Sequence, residues 1–382
     1  MDIQFNFSPI RLKKADASVY RIPIDEPVQT SFGVMHDRPA VVVRLEDADG
    51  LISWGEVWCN FPSVGAEHRA RLFNSVVTPI LLEQAWDSPE TAFKTLSSRL
   101  HILGIQCGEP GTVTQVIAGA DIALWDLFAK KSGQALWQLL GGNSTISTYA
   151  SGLSPTHPEK LAKQKWDEGY RAFKLKVGFG ADRDFKNLET LRNAFGNDIK
   201  IMVDANQAWS PENAAHNIQH LSGFNPFWVE EPLPADCAIQ EWNTLAKTVS
   251  PIQLAAGENM RGQSQFHEAI DSGAFAVIQP DLGKWGGFSG CIPIGRSSNL
   301  HNKLFCPHWL GGGIGLMASM HLKAAVGGPG FVEVDSNPNP LRELLGHPLP
   351  KIASGEVSLS DQPGLGIEPD LAALKPFLIN TL

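Results

Sequence analysis

Two lysines, Lys174 and Lys176, stand two residues apart in the apolar run AFKLKVGFG. Lysine is among the residues least often buried. In an extended segment alternate side chains share a face, so both ammonium groups point one way, roughly 6–7 Å apart. Short apolar runs of the same kind follow, each with an ionisable residue near its end. They are Asp204 in IKIMVDAN, Glu230 in FWVEEP, Glu258 in IQLAAGEN, Asp281 in FAVIQPDLG, His308 in LFCPHW and Glu333 in FVEVD. From Lys176 the intervals are 28, 26, 28, 23, 27 and 25 residues. Any one of them alone reads as a strand-end residue reaching water. Seven in one rhythm point to a common destination.

Asp204, Glu230 and Glu258 fall on three consecutive runs. Carboxylates brought together repel and raise one another's pKa. A hard divalent cation resolves that repulsion, and all-oxygen ligands point to Mg2+. Bases flank the trio. Lys176 lies one run before Asp204. His308 lies one run after Asp281, whose carboxylate can fix the imidazole tautomer and raise its basicity. A lysine beside a cation and a second lysine loses affinity for its proton, so Lys176 is expected to have a lowered pKa. One chemistry suits this set: removal of the proton next to a bound carboxylate. The cation and Lys174 would stabilise the enediolate charge that develops. Glu333, on the last run, closes the series.

Strand-like runs at this period, with helix-like stretches such as HPEKLAKQKWDEGY and SPENAAHNIQHLSG between them, are the pattern of a parallel α/β fold. With TYASG as the first, eight runs fit a (β/α)8-type barrel, trimmed by one helix. The ionisable residues then sit at the carboxyl ends of the strands, the catalytic face of a barrel. A doubly wound open sheet is the competitor, but YASGLSPTHP is a poor phosphate turn. Residues 1–135 have another rhythm. PAVVVRLEDADGLISWGEV reads as a β-hairpin around Asp-Gly. Helices are expected near 66–85, 88–103 and 112–131, the last stopping at Gly133. This is an α+β domain. The barrel is expected over 136–345. In the tail, 346–382, GEVSLS and PGLGIE read as strand-like pieces that pack back on the first domain.

Composition bounds the partners. The 382 residues are 43% hydrophobic and 19% charged, an ordinary globular balance, with net charge −9. That charge argues against nucleic acid or an anionic membrane as partner. No apolar run approaches the roughly 20 residues of a membrane span. The start, MDIQFNFSPIRLKK, lacks the apolar core and cleavage site of a secretory signal. Cys59, Cys107, Cys237, Cys291 and Cys306 are scattered, which fits reduced thiols and a cytoplasmic location.

Across nearly its whole length the chain resembles the enolase superfamily, mandelate racemase-like subgroup. The resemblance rests on WGE at Trp54–Glu56, GADIALWDL, K-x-K at Lys174 and Lys176, VDAN at Asp204 and WVEEP at Glu230. It continues through GEN at Glu258, D-x4-G-G from Asp281 to Gly287, and PHW at His308. Enolase-superfamily sites are already known to pair a Lys or His base with Mg2+. The resemblance implies one Mg2+ per subunit on Asp204, Glu230 and Glu258, and a first domain that caps the barrel, completed by the C-terminal tail. Lys176 is then the base for one substrate face, with Lys174 nearer the carboxylate, and the His308–Asp281 pair serves the other face. Glu333 takes the place of an acid that hydrogen-bonds the substrate carboxylate. Glu231 should point away from Glu230 by strand alternation. The implied partner is a small-molecule carboxylate, and the implied assembly a homo-oligomer.

Specificity is expected from two cap loops, about Asp25–Arg38 and Trp58–Arg69. Candidate substrate contacts are Asn206 in VDAN, His36, Arg38, Trp58, Asn60, Phe61 and Trp309, each with packing as the alternative. Trp285 could narrow the mouth or pack, and GGGIG after His308 could cradle an anion. Two bases on opposite faces permit dehydration, racemisation or epimerisation, and the subgroup adds lactone cycloisomerisation. Dehydration of a sugar acid is placed first. A barrel metallohydrolase would want a His-x-His on the first strand, which TYASGL lacks. A retired barrel serving as a binding protein would have lost a base or a ligand.

Overall fold

A computed structural model describes residues 7–30 and 33–379. Strands β1 (Ile10–Gln29), β2 (Val34–Asp47) and β3 (Ile52–Val57) form an antiparallel meander. The turn between β2 and β3 is built by Asp47, whose Oδ1 accepts from the N–H groups of Asp49 at 2.9 Å and Leu51 at 2.8 Å. This local bond is why Asp favours turns. Strand β4 (Ala85–Trp86) pairs with the start of β1. The segment 25–38, expected as a loop, is mostly the end of β1 and the start of β2, paired at Val28–Met35 and Gln29–Val34. Ser31 and Phe32 of that segment lie outside the described residues.

The first expected helix is Gly65–Leu72 and Thr78–Glu83, joined by a wider π turn at Phe73–Val77. Pro89–Gln106 and Pro110–Lys131 follow. Ser88 caps the first of these by accepting from Thr91 N, with Pro89 at the first helical position, as helix starts prefer. Pro110–Lys131 corrects the sequence reading on apolar length. It is long and apolar enough to cross a membrane, yet 83% of its most apolar window is buried. It packs on β3 and on the helix Gly287–Leu300, so it is a core helix joining the two parts of the molecule.

Eight parallel strands follow: β5 (Thr145–Leu153), β6 (Ala172–Lys176), β7 (Lys200–Asp204), β8 (Val229–Glu230), β9 (Leu254–Ala256), β10 (Val277–Ile278), β11 (Leu304–Phe305) and β12 (Phe331–Asp335). They are laddered in chain order from β5 to β11, and β12 pairs with β5, giving a nearly closed barrel. The seam between β11 and β12 is bridged by Phe331 N–H donating to Cys306 Sγ at 3.3 Å. Among the described residues an α-helix fills each of the seven intervals between these strands, and a short helix, Pro340–Leu345, follows β12.

Strand alternation builds the barrel interior in layers. Tyr149, Ala172, Met202, Trp228, Ala255, Val277 and Cys306 form an apolar floor. Phe331 of β12 packs against this floor, and two residues beyond Ala172, Met202, Trp228 and Phe331 come Lys174, Asp204, Glu230 and Glu333, so the floor carries a polar ceiling. All five cysteines are free thiols.

The tail corrects the sequence reading in part. Strand β13 (Glu356–Ser358), in GEVSLS, pairs antiparallel with the barrel strand β5 rather than with the cap. The outer edge of β5 near Thr145–Ser147 offers unpaired backbone groups, and β13 satisfies them. Residues 363–366 turn against the cap helix, where Leu365 N donates to Asp126 Oδ1 at 2.8 Å. Strand β14 (Leu378–Ile379) pairs with β1.

Candidate active site

In the barrel ladder Lys176 is the register partner of Asp204, and Asp204 of Glu230. One row of strand ends therefore carries a base and two acids. Glu258 follows β9 after Gly257, which has φ +146° and where a Cβ would lie 2.7 Å from the backbone N of Gln279. Only glycine fits that bend. Asp281 and His308 form a backbone bridge beyond β10 and β11.

The side chains close into one network. Lys176 Nζ donates to Asp204 Oδ2 at 2.6 Å. Lys174 Nζ donates to Glu230 Oε1 and lies 2.7 Å from Glu333 Oε1 and 3.8 Å from Asp204 Oδ2. Ser151 Oγ donates to Glu333 Oε1. His308 Nδ1 lies 2.7 Å from Asp281 Oδ2, and its Nε2 lies 2.8 Å from Glu258 Oε2 and 3.6 Å from Glu333 Oε2.

Burial and neighbouring charge set the protonation states. Burial works to lower the pKa of Lys174, but Glu230 and Glu333 hold it well above the ordinary lysine value. Lys176 is likewise raised: burial lowers it, and Asp204 more than offsets that. Without a cation the carboxylates outweigh the second lysine; the expected lowering applies to a lysine beside a bound cation. Burial also lowers His308, yet Glu258, Glu333 and Asp281 raise it well above the usual imidazole value. Burial raises Glu230 to about 7, opposed by Lys174 and aided by Asp204 and Glu333. Glu258 is held well below the carboxylate range by His308 and Lys284 despite burial. Glu333 is lowered by Lys174 and His308 against burial. It is therefore ionised and bonded within the site.

The candidate substrate contacts separate. Asn206 belongs to the site, with N and Nδ2 donating to Asp204 at 2.8 and 3.2 Å. Trp58 also reaches it, its ring centroid 4.5 Å from Lys284 Nζ. Arg38 is 1% exposed and ion-paired with Asp335 Oδ2 at 2.5 Å, joining β2 to β12. Asn60 is buried and donates to Leu310 O at 2.5 Å. Trp309 is buried, and Cβ atoms at Gly283, Gly311 and Gly315 would fall 2.4, 2.5 and 1.9 Å from its ring. The glycine run thus makes room for an indole. Arg38, Asn60 and the Trp309 ring make packing and docking contacts, while Trp309 N–H donates to Glu333 Oε2 at 3.3 Å, and His36 is exposed on β2. Trp285 packs against Phe266, ring centroids 5.4 Å apart. Phe61 O accepts from Arg69 Nη2 at 3.4 Å.

Sequence reasoning missed four members of the network. Lys284 Nζ donates to Glu258 Oε1 at 3.0 Å and Asn259 Oδ1 at 3.1 Å. Gln279 Nε2 donates to Glu230 Oε2 at 2.6 Å, and Trp228 Nε1 to the same oxygen at 3.2 Å. Asn259 Nδ2 reaches both carboxylate oxygens of Glu231 at 2.9 and 3.0 Å and Glu258 Oε1 at 3.1 Å. Glu231 turns there through a left-handed backbone, φ 38°. Alternation carried the signal for Gln279, two residues before Asp281, and for Trp228, two before Glu230. Lys284 lies three past Asp281 and had none.

Among the described residues no three ligating side chains close into a ready coordination shell. The donor set nevertheless fits a hard divalent cation. Asp204, Glu230 and Glu258 offer only oxygen; Glu258 raises the pKa of Asp204, and both raise that of Glu230. Burial and the neighbouring carboxylates push Glu230 up to about 7 and Glu231 well above the usual carboxylate range, so these acids hold protons that a bound cation would displace. Mg2+, which keeps waters and takes few carboxylates, suits an open set of this kind.

Residues 15–141 match the mandelate racemase/muconate lactonizing enzyme N-terminal domain, and residues 158–373 the enolase C-terminal domain-like family. The chain is 30% identical over 374 residues to a D-galactarolactone cycloisomerase of Agrobacterium fabrum, covering 93% of this chain and 95% of that one. It is 26% identical over 340 residues to an arabinonate dehydratase of Saccharolobus solfataricus, covering 87% and 88%. A solved mandelate racemase/muconate lactonizing enzyme from Bordetella bronchiseptica RB50 superposes with TM-score 0.91 at 48% identity, over 97% of this chain and 99% of that one. A Streptomyces coelicolor A3(2) racemase with bound magnesium superposes with TM-score 0.86 at 26% identity, over 96% and 100%. The chain belongs to the mandelate racemase/muconate lactonizing enzyme family of the enolase superfamily.

Proposed function

We propose that this protein removes the proton α to the carboxylate of a sugar acid and expels a β-hydroxyl as water. The observation that carries the reading is the pair of bases, Lys176 and His308, on the two flanks of the Asp204–Glu230–Glu258 row. Bound Mg2+ would supply a Lewis acid for the substrate carboxylate, held by Asp204, Glu230 and Glu258. Lys174, fixed between Glu230 and Glu333, presents positive charge to the carboxylate oxygens as the enediolate forms. One base takes the α-proton, and the protonated partner on the opposite flank gives its proton to the departing hydroxyl. Asp281 keeps Nδ1 of His308 occupied, so Nε2 is the nitrogen that exchanges protons.

The cycloisomerase relative, matched over almost its whole length, favours a second reading in which the α-proton enters or leaves a sugar-acid lactone. Racemisation uses the same two bases without a leaving group. A binding protein without catalysis would not keep both bases and all three acids in one network.

The test is a library of aldonic and aldaric acids, their lactones, and hydroxy and N-acylamino acids, read for dehydration and for loss of optical rotation. Lys176→Ala and His308→Asn are then compared for α-deuterium exchange in D2O. Each is expected to lose exchange from a different stereoisomer. Loss from the same stereoisomer in both variants sinks the two-face assignment.

A further inference from the structure

We propose that Lys284 is a positioning residue that couples the seating of the cap to the His308 side of the site. Its backbone N–H donates to Asp281 Oδ1 at 3.0 Å, beside Gly283 N–H at 2.9 Å. That leaves Asp281 Oδ2 for His308 Nδ1 at 2.7 Å. Its ammonium donates to Glu258 Oε1 at 3.0 Å, which leaves Glu258 Oε2 for His308 Nε2 at 2.8 Å. Both carboxylates that grip the imidazole are thus held by one lysine, one through its main chain and one through its side chain.

The cap completes this arrangement. An ammonium has three N–H donors. Glu258 and Asn259 take two, and the third direction is covered by the Trp58 ring, 4.5 Å from Nζ. The lysine side chain is only 10% exposed, so this cation–π contact is largely desolvated, the condition under which such contacts are strongest. Trp58 N–H also reaches Gly283 O at 3.4 Å, so the same cap residue touches the turn twice. Arg69 lies over the ring at 5.6 Å and is tied to Gly65 O at 2.9 Å and Gln115 Oε1 at 2.7 Å, fixing the indole within the cap. Lys176 stands on β6, outside this turn, bonded to Asp204. The direct hydrogen bonds of Lys284 therefore go to the carboxylates beside His308 and not to Lys176.

This inference rests on the two-face reading above, and its test has an arm that needs no substrate. In protein labelled with 15N-histidine, the His308 ring signals are assigned by their absence in His308→Asn. Lys284→Met and Trp58→Leu are expected to shift those signals, with circular dichroism unchanged. Lys284→Arg, which keeps the charge and can lie on the indole, is expected to move them back toward the wild type. Unshifted His308 signals in folded Lys284→Met and Trp58→Leu overturn the proposal. With an acid the library selects, Lys284→Met should slow exchange on the His308 face by about 10–100-fold while the Lys176 face stays within about threefold, the scale of losing a group that orients a site residue. Equal loss on both faces overturns it. If the wild type exchanges no acid, the functional reading fails and the spectroscopic arm alone decides the coupling.

Discussion

Glu56 of the cap accepts hydrogen bonds from the N–H groups of Gly312 at 2.5 Å and Gly315 at 2.9 Å, where the barrel helix Gly313–Val326 begins. The glycine-rich run holds a carboxyl group, and that group is the protein's own. A Cβ at Gly312 would lie 2.6 Å from Glu56 Oε1. Because this helix directly follows His308 and Trp309, the contact fixes the cap to the segment that carries the His308 imidazole.

Burial raises Glu56 to about 7, against the lowering effect of its backbone donors. A folded-state pKa above the unfolded one means that the folded protein binds more protons. The stabilising contribution is full below about pH 4.5 and is lost as pH rises through about 7. Urea unfolding followed across this window should show stability falling by roughly 3 kcal/mol from this group. Glu56→Gln should flatten that slope, and an unchanged slope contradicts the assignment.

Arg38 and Asp335 are 1% and 2% exposed and pair at 2.5 Å. Removing one partner of a buried pair strands the other charge, at a cost of about 3–5 kcal/mol. Arg38→Met should lower the denaturation midpoint accordingly. A raised KM with unchanged stability would instead mark Arg38 as a substrate contact.

Gly315→Ala places a methyl 1.9 Å from the Trp309 ring. Overpacking of this kind costs about 1–3 kcal/mol. Since Trp309 adjoins His308, turnover should fall with stability. Calorimetric unfolding and activity measured on the same preparation check this, and a variant as stable as the wild type refutes the packing role.

Mg2+ should raise the thermal midpoint of the wild type by mass action, worth about 2.7 kcal/mol at 100 times Kd. Asp204→Asn and Glu258→Gln should abolish that Mg2+-dependent rise. Thorough chelation should abolish turnover of the acid found in the library, and unchanged turnover excludes the metal assignment. Gln279→Leu removes a 2.6 Å donor from Glu230 and should weaken Mg2+ binding by about 10–100-fold, measured by calorimetry.

The barrel and the ends of its strands were legible in the sequence because both obey short-range rules. Period-2 alternation makes Lys174 and Lys176 face one way, and the regular strand-plus-helix spacing places Asp204, Glu230, Glu258, Asp281, His308 and Glu333 at one mouth. Proximity across the mouth was not legible. Lys284, Gln279 and Trp58 act through partners brought to them by chain closure, in the case of Trp58 and Lys284 from more than half the chain away. The fates of Arg38, Asn60 and Trp309 turned on burial at the cap–barrel contact, which composition does not encode. Without a cation, Asp204 raises the pKa of Lys176 against burial and Lys174, a balance of distances that spacing along the chain does not contain. Residue type and spacing thus determined which groups can do the chemistry. The three-dimensional packing decided which of them touch, because electrostatic and hydrogen-bond energies depend on distances that no linear pattern contains.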